Sequence, residues 1–240
     1  MTVIVFPGQG SQFVEMGKDF YDSFQEVKDT FSLISEVSKI DIKDIIFNNP
    51  SDILHQTQFT QISIFAVSIS LFQVLKKHSN ISDLQINYML GHSLGEYSAL
   101  CAANFLTIKD CAYLLKNRGE LMQNAYKPNQ STMAAVIGID CIKAEKIIKE
   151  NNLEIEIAND NSPIQIVISG KKEDILNSEK LFKENGAIKF ILLNVSAAFH
   201  SNLMLNAQKE MNKFIDHISF SESNINIISN FSAQHSNNID

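Results

Sequence analysis

Apolar and polar residues alternate in blocks along the first half of the chain, as they do in α/β domains. The short apolar runs "TVIVF" and "INYML" predict buried strands. Between them, residues 23–40 have the spacing of an amphipathic helix, and residues from about 62 to 77 predict a long apolar helix whose final lysines suit a helix C-terminus. Two more helices are predicted in "LGEYSALCAANF" and "IKDCAYLLKNRGELMQNAY". We therefore predict a main α/β domain over residues 1–125.

The order of predicted strands and helices changes near Ser131. "MAAVIGI" predicts a strand and "CIKAEKIIKENN" a helix; "LEIEIAND" and "PIQIVISG" predict strands, "KEDILNSEKLFKENG" a helix and "AIKFILLNVS" a strand. This βαββαβ order is typical of a ferredoxin-like unit. We predict that residues 126–196 form such a subdomain, inserted into the α/β domain, and that residues 197–240 return to the main domain.

Composition and charge narrow the possible partners and the compartment. With 45% hydrophobic residues, 20% charged residues and a net charge of −7, the chain is unsuited to nucleic acid or an anionic membrane as its main partner. Cys101, Cys111 and Cys141 are an odd set without disulfide or metal spacing, which favours a reducing compartment. "MTVIVFPGQGSQ" lacks the features of a signal peptide, and no apolar run looks long enough to cross a bilayer. We expect a soluble, cytoplasmic protein.

The motif "GHSLG" is the first candidate for chemistry. It fits Gly-x-Ser-x-Gly, in which a sharp strand-to-helix turn projects a nucleophilic hydroxyl, here that of Ser93. Gly91 and Gly95 allow the turn, and the N-terminus of the following helix favours a developing oxyanion. The alternative is that Ser93 merely caps the helix. Because an apolar strand precedes the motif and a helix follows it, the nucleophile is favoured.

A serine nucleophile needs a base within hydrogen-bond reach. Among the six histidines, His200 in "NVSAAFHSNLM" stands out because it follows the last predicted strand of the insert. His92 adjoins Ser93, but neighbours in a tight turn usually point apart. The alternative for His200 is a hydrogen-bonded core histidine. No aspartate is evident as a third member of a triad, so the group that orients His200 is left open.

Arg118 lies in the middle of an apolar helix face. Leu114 and Met122 are four residues away on either side, and Leu115 and Leu121 are three residues away. A guanidinium in such a place needs a compensating anion. That anion is either an internal Asp or Glu in a structural ion pair, or a substrate carboxylate, which arginine binds through two hydrogen bonds.

The segment "GQGSQ" after the first strand is a glycine-rich loop without the lysine and spacing of a P-loop. A backbone N–H of this loop, that of Gln9, could complete an oxyanion hole with the N–H of Leu94. The alternative is a structural turn.

Taken together, "FPGQGSQ", "GHSLGEYSAL", "NRGELMQ", "NDNSPIQIVISG" and "AFHSNLM" resemble the malonyl-CoA:acyl carrier protein transacylase family of fatty acid synthesis in sequence and order. The resemblance covers essentially the whole chain. It implies a hydrolase-like α/β main domain with a ferredoxin-like insert, and transfer of a malonyl group to a carrier thiol by a ping-pong mechanism. It also implies malonyl-CoA and acyl carrier protein as partners, no metal or other cofactor, and a free-standing, monomeric enzyme.

Matched position by position, the resemblance implies Ser93 as the acyl-bearing nucleophile and His200 as its base. Arg118 would bind the free carboxylate of the malonyl group, and the N–H groups of Gln9 and Leu94 would form the oxyanion hole. The remaining implied residues surround the acyl group or the coenzyme: Met122, Asn161 and Phe199 at the acyl pocket, and Lys189 near coenzyme A or the carrier protein. Phe199 resembles the residue of malonyl-using family members, since methylmalonyl-using relatives tend to have a smaller one.

The chain departs from the family in two places. Gln61 is followed by Ile62 where the family usually has Pro, from which we expect a local change only. Family members also run well beyond residue 240, and that part normally supplies a glutamine carbonyl that orients the histidine, a "GPG" segment and closing helices. We therefore expect a C-terminally short member, either a fragment or a truncated protein. Two alternative functions are a serine esterase or thioesterase, and an inactive, truncated carrier-binding fragment.

Overall fold

The computed structural model describes residues 2–127 and 129–238, apart from the side chains of residues 82 and 83. These residues form two compact units. The first comprises the described residues up to Gly119 and from Lys213 onwards, and the second is Glu120–Asn212. The chain passes from the first unit to the second within one helix and returns within another.

The N-terminal part of the first unit is largely helical. Its regular elements are, in order, β1 (Thr2–Phe6), α1 (Lys18–Ser23), α2 (Gln25–Ser38), α3 (Ile42–Phe47), α4 (Thr57–His78), β2 (Ile86–Gly91), α5 (Gly95–Ala102) and α6 (Ile108–Asn124). Short 3-10 segments span Pro50–His55 and Asn80–Asp83. Both predicted strands and all four predicted helices are therefore present, and α1 and α3 are additional.

Strand β1 is less buried than its apolar sequence predicts. It pairs in parallel with β2, and it is an edge strand among the described residues. Val3 and Val5 are 39% and 67% exposed, whereas Phe6 is buried. The prediction of a buried strand is wrong for the face that carries Val3 and Val5, because side chains alternate between the two faces of a strand and only one of these faces is covered here.

Helix α4 is the core helix of the first unit. Its most apolar 18-residue stretch has a mean hydropathy of 1.4, so its length and composition would allow it to cross a membrane, contrary to the expectation from sequence. In this fold 56% of that stretch is buried. Ile62, Phe65 and Ile69 are almost inaccessible, and the helix packs against α2, α3 and α5. We interpret its apolar character as that of a core helix.

The second unit is the predicted βαββαβ arrangement. Its elements are β3 (Ser131–Ile137), α7 (Cys141–Glu150), β4 (Ile155–Ser162), β5 (Gln165–Lys171), α8 (Lys172–Glu184) and β6 (Lys189–Leu192). The four strands form an antiparallel sheet in the order β4-β5-β3-β6. Apolar side chains of α7 and α8, among them Phe182, pack with inward-facing residues of this sheet such as Val136 and Ile168. The predicted fold class is confirmed.

The second unit extends beyond residues 126–196 at both ends. Residues 197–212 belong to it because they bind its sheet: Ser169 Oγ donates to the carbonyl of Phe199 at 2.7 Å, and the N–H of Ala198 donates to Ser131 Oγ at 3.0 Å. A 3-10 turn at Asn202–Met204 then leads into α9 (Leu205–Ile215), within which the chain returns to the first unit.

The C-terminal part adds β7 (Asn226–Ile228) and β8 (His235–Ser236) to the first sheet. Strand β7 runs parallel to β2, and β8 pairs antiparallel to β7, so the described strands have the order β1-β2-β7-β8. Because β2 and β7 are parallel, the residues that follow each of them lie at the same edge of the sheet. Ser93 follows β2 at this edge.

Candidate active site

The segment from Gly91 to Gly95, which we call the elbow, makes the sharp turn that the motif predicts. Ser93 has a φ of 52°, in the left-handed region that residues with a side chain rarely adopt. A Cβ at Gly91 would lie 2.1 Å from the carbonyl carbon of Gly95, and a Cβ at Gly95 would lie 2.6 Å from the carbonyl oxygen of Phe6. Both glycines are therefore required for the strand and helix to approach so closely.

Arg118 reaches the elbow from α6. Its Nη2 donates to Ser93 Oγ at 3.0 Å, and its Nη1 donates to Gln61 Oε1 at 2.6 Å. The guanidinium carbon lies 5.7 Å from the centre of the Tyr97 ring. Both hydrogen-bond acceptors are neutral. Within residues 2–127 and 129–238 Arg118 forms no ion pair with a carboxylate, so the internal ion pair considered from the sequence is not found there.

Burial shifts the pKa values of both Arg118 and the neighbouring Tyr97. Burial lowers the pKa of the Arg118 guanidinium, while the neighbouring Tyr97 and Glu96 act in the opposite direction. Burial raises the pKa of the Tyr97 hydroxyl, against the effect of Arg118. A positive charge that lacks a carboxylate partner and is largely removed from water is suited to bind an anion.

The candidate oxyanion donors have unused backbone N–H groups. Among the described residues the N–H of Gln9 and the N–H of Leu94 make no hydrogen bond. Leu94 directly precedes the first residue of α5. The loop with Gln9 is fixed by the hydrogen bond from its Nε2 to Thr57 Oγ1 at 3.1 Å and by Gly8, whose Cβ would lie 2.4 Å from the carbonyl oxygen of His92.

Sequence reasoning missed Asn230, which lies two residues after β7 and contacts the elbow directly. Its Oδ1 accepts from the N–H of Ser93 at 3.2 Å, and its Nδ2 donates to the carbonyl of Gly91 at 2.6 Å. Its Nδ2 and its backbone N–H also donate to the Glu96 carboxylate. The short apolar run "INII" was the available signal of a strand before Asn230. It was obscured because the residues around it are mostly Asn and Ser.

The remaining predicted site residues belong to the second unit. His200 is exposed and has a φ of 55°, so it is not the core histidine considered as an alternative. Phe199 is buried in an apolar cluster that includes Met122. Asn161 and Lys189 are both exposed, on β4 and β6. Since β4 and β6 are opposite edges of the sheet, this unit does not bring Asn161 and Lys189 together.

Groups of three or more His, Cys, Asp or Glu residues that could hold a metal ion are not found in the described part of the chain.

Comparison with known proteins gives a consistent result. A sequence profile described as acyl transferase domain matches residues 3–239. The chain is 37% identical over 233 residues to a malonyl CoA-acyl carrier protein transacylase of Bacillus subtilis, and the alignment covers 95% of this chain and 72% of the relative.

Solved structures of malonyl transacylases have the same fold as this chain. The fold superposes with a TM-score of 0.92 on an acyl-carrier-protein-S-malonyltransferase from Bartonella henselae, at 36% identity over 98% of this chain and 76% of that one. It superposes with a TM-score of 0.91 on a malonyl-transacylase in complex with its type II PKS acyl-carrier protein, at 31% identity over 98% of this chain and 75% of that one. The family predicted from the motifs is confirmed: the chain belongs to the acyl transferase domain family and, within it, to the malonyl-CoA:acyl carrier protein transacylases.

Proposed function

We propose that this protein transfers the malonyl group of malonyl-CoA to the phosphopantetheine thiol of an acyl carrier protein through a malonyl-serine intermediate. Relatives are named malonyl CoA-acyl carrier protein transacylases, one of them for polyketide biosynthesis. The observation that carries the proposal is Arg118: its Nη2 lies 3.0 Å from Ser93 Oγ, and among the described residues only neutral acceptors bind its guanidinium. An acyl group on Ser93 that ends in a carboxylate would place that carboxylate within reach of Arg118.

In the first half-reaction His200 takes the proton of Ser93, and Oγ attacks the thioester carbonyl of malonyl-CoA. The carbonyl oxygen becomes an oxyanion that accepts hydrogen bonds from the N–H groups of Gln9 and Leu94. The carbon–sulfur bond then breaks, and His200 returns the proton to the leaving thiolate. Free coenzyme A and malonyl-Ser93 result, with the malonyl carboxylate bound by Arg118.

In the second half-reaction the phosphopantetheine thiol of the carrier gives its proton to His200 and attacks the ester carbonyl. The same two N–H groups stabilise the oxyanion, the ester bond to Oγ breaks, and His200 returns the proton to Ser93. Met122, Asn161 and Phe199 are proposed to line the acyl pocket, and Lys189 to lie near coenzyme A or the carrier. Protons and electrons balance in both halves without a metal or a redox cofactor, and we propose that none is used.

The partners follow from this chemistry. They are malonyl-CoA and a phosphopantetheine-bearing acyl carrier protein. We also propose that the enzyme acts as a monomer. The net charge of −7 supports the proposal that it binds neither nucleic acid nor a membrane, and the odd set of three cysteines supports a cytoplasmic location.

Labelling with malonyl-CoA that is radioactive in its malonyl group tests the proposal. We expect one labelled peptide, modified at Ser93, and loss of the label to added holo-carrier protein; Ser93→Ala should take up no label. Rapid release of free malonate without carrier would identify a hydrolase instead. A protein that binds the carrier but takes up no label would be an inactive carrier-binding fragment.

A further inference from the structure

Asn230 is brought to the elbow by the pairing of two parallel strands. Strand β7 lies beside β2 with Tyr88 opposite Asn226 and Met89 opposite Ile227. Continued for three more residues, this register brings Asn230 level with His92, directly beside the elbow. The position of Asn230 is therefore set by the sheet.

The side chain of Asn230 meets three different parts of the elbow and its helix. Nδ2 donates to the carbonyl of Gly91 at the end of β2, and Oδ1 accepts from the N–H of Ser93. The Glu96 carboxylate, in the first turn of α5, accepts from Nδ2 and from the backbone N–H of Asn230. These partners fix the orientation of the amide, because a carbonyl and a carboxylate can only accept and a backbone N–H can only donate.

Such a bridge is needed because the elbow backbone is strained. Ser93 has a φ of 52°, a conformation that is unfavourable for a residue other than glycine and persists only where the surroundings hold it. The N–H of Ser93 lies before α5, which begins at Gly95, and it donates to Oδ1 of Asn230. Asn230 satisfies this donor and at the same time ties the end of β2 to the start of α5.

We propose that Asn230 is a positioning residue for the nucleophile, and that Glu96 in turn holds the amide of Asn230 in the required orientation. This inference rests on the proposed function of Ser93 and deepens it. Asn230 touches the backbone of Ser93 and not its hydroxyl, so it acts by fixing where Oγ stands relative to Arg118, now at 3.0 Å. A displacement of the elbow by about 1 Å is expected to slow acylation by roughly 100-fold.

Four variants separate positioning from general stability. Asn230→Ala removes the bridge. Asn230→Asp keeps an acceptor for the N–H of Ser93 but removes both side-chain donors and sets a second carboxylate against Glu96. In the double variant Asn230→Asp/Glu96→Gln the side chain at position 96 donates and the side chain at position 230 accepts. Their hydrogen bond is therefore restored in the opposite direction. Asn226→Ala is the matched control, because Asn226 lies on β7, four residues before Asn230, and binds the carbonyl of Asn87 and the ring of His235.

The measurements are the single-turnover rate of malonyl-Ser93 formation, the melting temperature of each variant, and hydrogen exchange of the Ser93 amide. We expect acylation to fall about 10-fold in Asn230→Ala and about 100-fold in Asn230→Asp. The double variant should recover at least part of the loss in Asn230→Asp, and Asn226→Ala should acylate like the unaltered protein. Exchange of the Ser93 amide should accelerate in Asn230→Ala at temperatures where that variant remains folded.

Equal acylation rates for the unaltered protein and Asn230→Ala would overturn the inference, as would an equal loss in Asn226→Ala. Failure of the proposed function looks different, because the unaltered protein would then form no malonyl-serine. In that case two measurements still test the positioning role: hydrogen exchange of the Ser93 amide and the rate at which a fluorophosphonate labels Ser93. If both were unchanged in Asn230→Ala, the positioning role would be rejected.

Discussion

At the scale of single residues, the central feature is a guanidinium that is held without being neutralised. Gln61 and Ser93 each accept one hydrogen bond from Arg118, and the Tyr97 ring faces its cation. These neutral partners orient the side chain in a largely desolvated place but leave its charge uncompensated. A substrate carboxylate can therefore replace a neutral acceptor with a net gain in electrostatic energy.

Arg118→Ala is expected to remove the preference for malonyl-CoA over acetyl-CoA. A hydrogen bond to a charged group contributes about 1.5–3 kcal/mol, so the rate of acylation by malonyl-CoA should fall roughly 10- to 100-fold. Acylation by acetyl-CoA, which has no second carboxylate, should fall much less. Initial rates with both thioesters give the ratio directly.

Lys109→Ala provides the matched control, because Lys109 is an exposed cation on the same helix. It should leave both rates unchanged. A variant of Arg118 that still preferred malonyl-CoA by the original factor would show that the carboxylate is bound elsewhere.

Residues with a local signal could be predicted from the sequence, and residues positioned by long-range pairing could not. Arg118 was identified because helical spacing alone puts it among leucines. Gly91 and Gly95 were identified because the motif is contiguous. Asn230 was missed because its role depends on β7 lying beside β2, 139 residues away from Gly91 along the chain.

At the scale of elements, close approach of the elbow to β1 explains why α5 begins with glycine. A Cβ on Gly95 would lie 2.6 Å from the carbonyl oxygen of Phe6 and 2.7 Å from that of Pro7. These are backbone atoms of the neighbouring strand and loop, so they cannot move aside as a flexible side chain could. The helix would have to shift away from the sheet.

Gly95→Ala is therefore expected to lower the free energy of unfolding by about 1–3 kcal/mol, the usual cost of forcing an extra group into a filled space. It should also slow acylation, because the elbow moves with the helix. Gly10→Ala is the control: a Cβ there meets no atom within 4 Å, so only the φ of 106° opposes the substitution. Denaturant unfolding of both variants and of the unaltered protein measures the losses, and an unchanged free energy of unfolding in Gly95→Ala would show that the contact with Phe6 is unimportant.

The same distinction between local and long-range signals applies to whole elements. Helices α2, α4 and α6 were predicted because their patterns are long, and the second unit was predicted because six elements follow one another in sequence. Strands β7 and β8 contain only three and two residues and carry no periodic signal. The apolar residues of β1 predicted that it is a strand, but they could not show that one of its faces is uncovered.

At the scale of the whole molecule, the limits of the two units were the least predictable feature. Residues 197–212 carry no strand that would assign them to the second unit, and they belong to it through hydrogen bonds that involve Ser131, Ser169 and the backbone on either side of Phe199. Such contacts between distant segments leave no pattern in the sequence. Identity with relatives therefore identifies the family, whereas the grouping of Phe199 and His200 with the second unit required the structure.

The dependence of stability on pH is also a property of the whole molecule. We expect protonation of Glu26 to lower the free energy of unfolding at acidic pH. Its carboxylate, 17% exposed, pairs with Lys77 and with His78 at 3.0 Å, which joins α2 to the end of α4. These hydrogen bonds, that from Lys77 first, lower the pKa of Glu26 from 4.5 to about 2. Because the folded pKa lies below the ordinary one, the stabilisation is complete above pH 4.5 and is lost as the pH falls towards 2.

We therefore expect the free energy of unfolding of the unaltered protein to decrease between about pH 4.5 and 2, and Glu26→Gln to decrease less over this interval because one titrating group is gone. At pH 7 the variant should be the less stable of the two, and the difference should narrow as the pH falls. Glu150→Gln is the control, since Glu150 belongs to an exposed pair with Lys146 at 3.7 Å on one helix and such pairs contribute little. Urea unfolding at several pH values measures the free energy of unfolding of all three proteins. If this free energy fell in parallel with pH for Glu26→Gln and for the unaltered protein, the contacts of Glu26 with α4 would not account for the loss of stability at acidic pH.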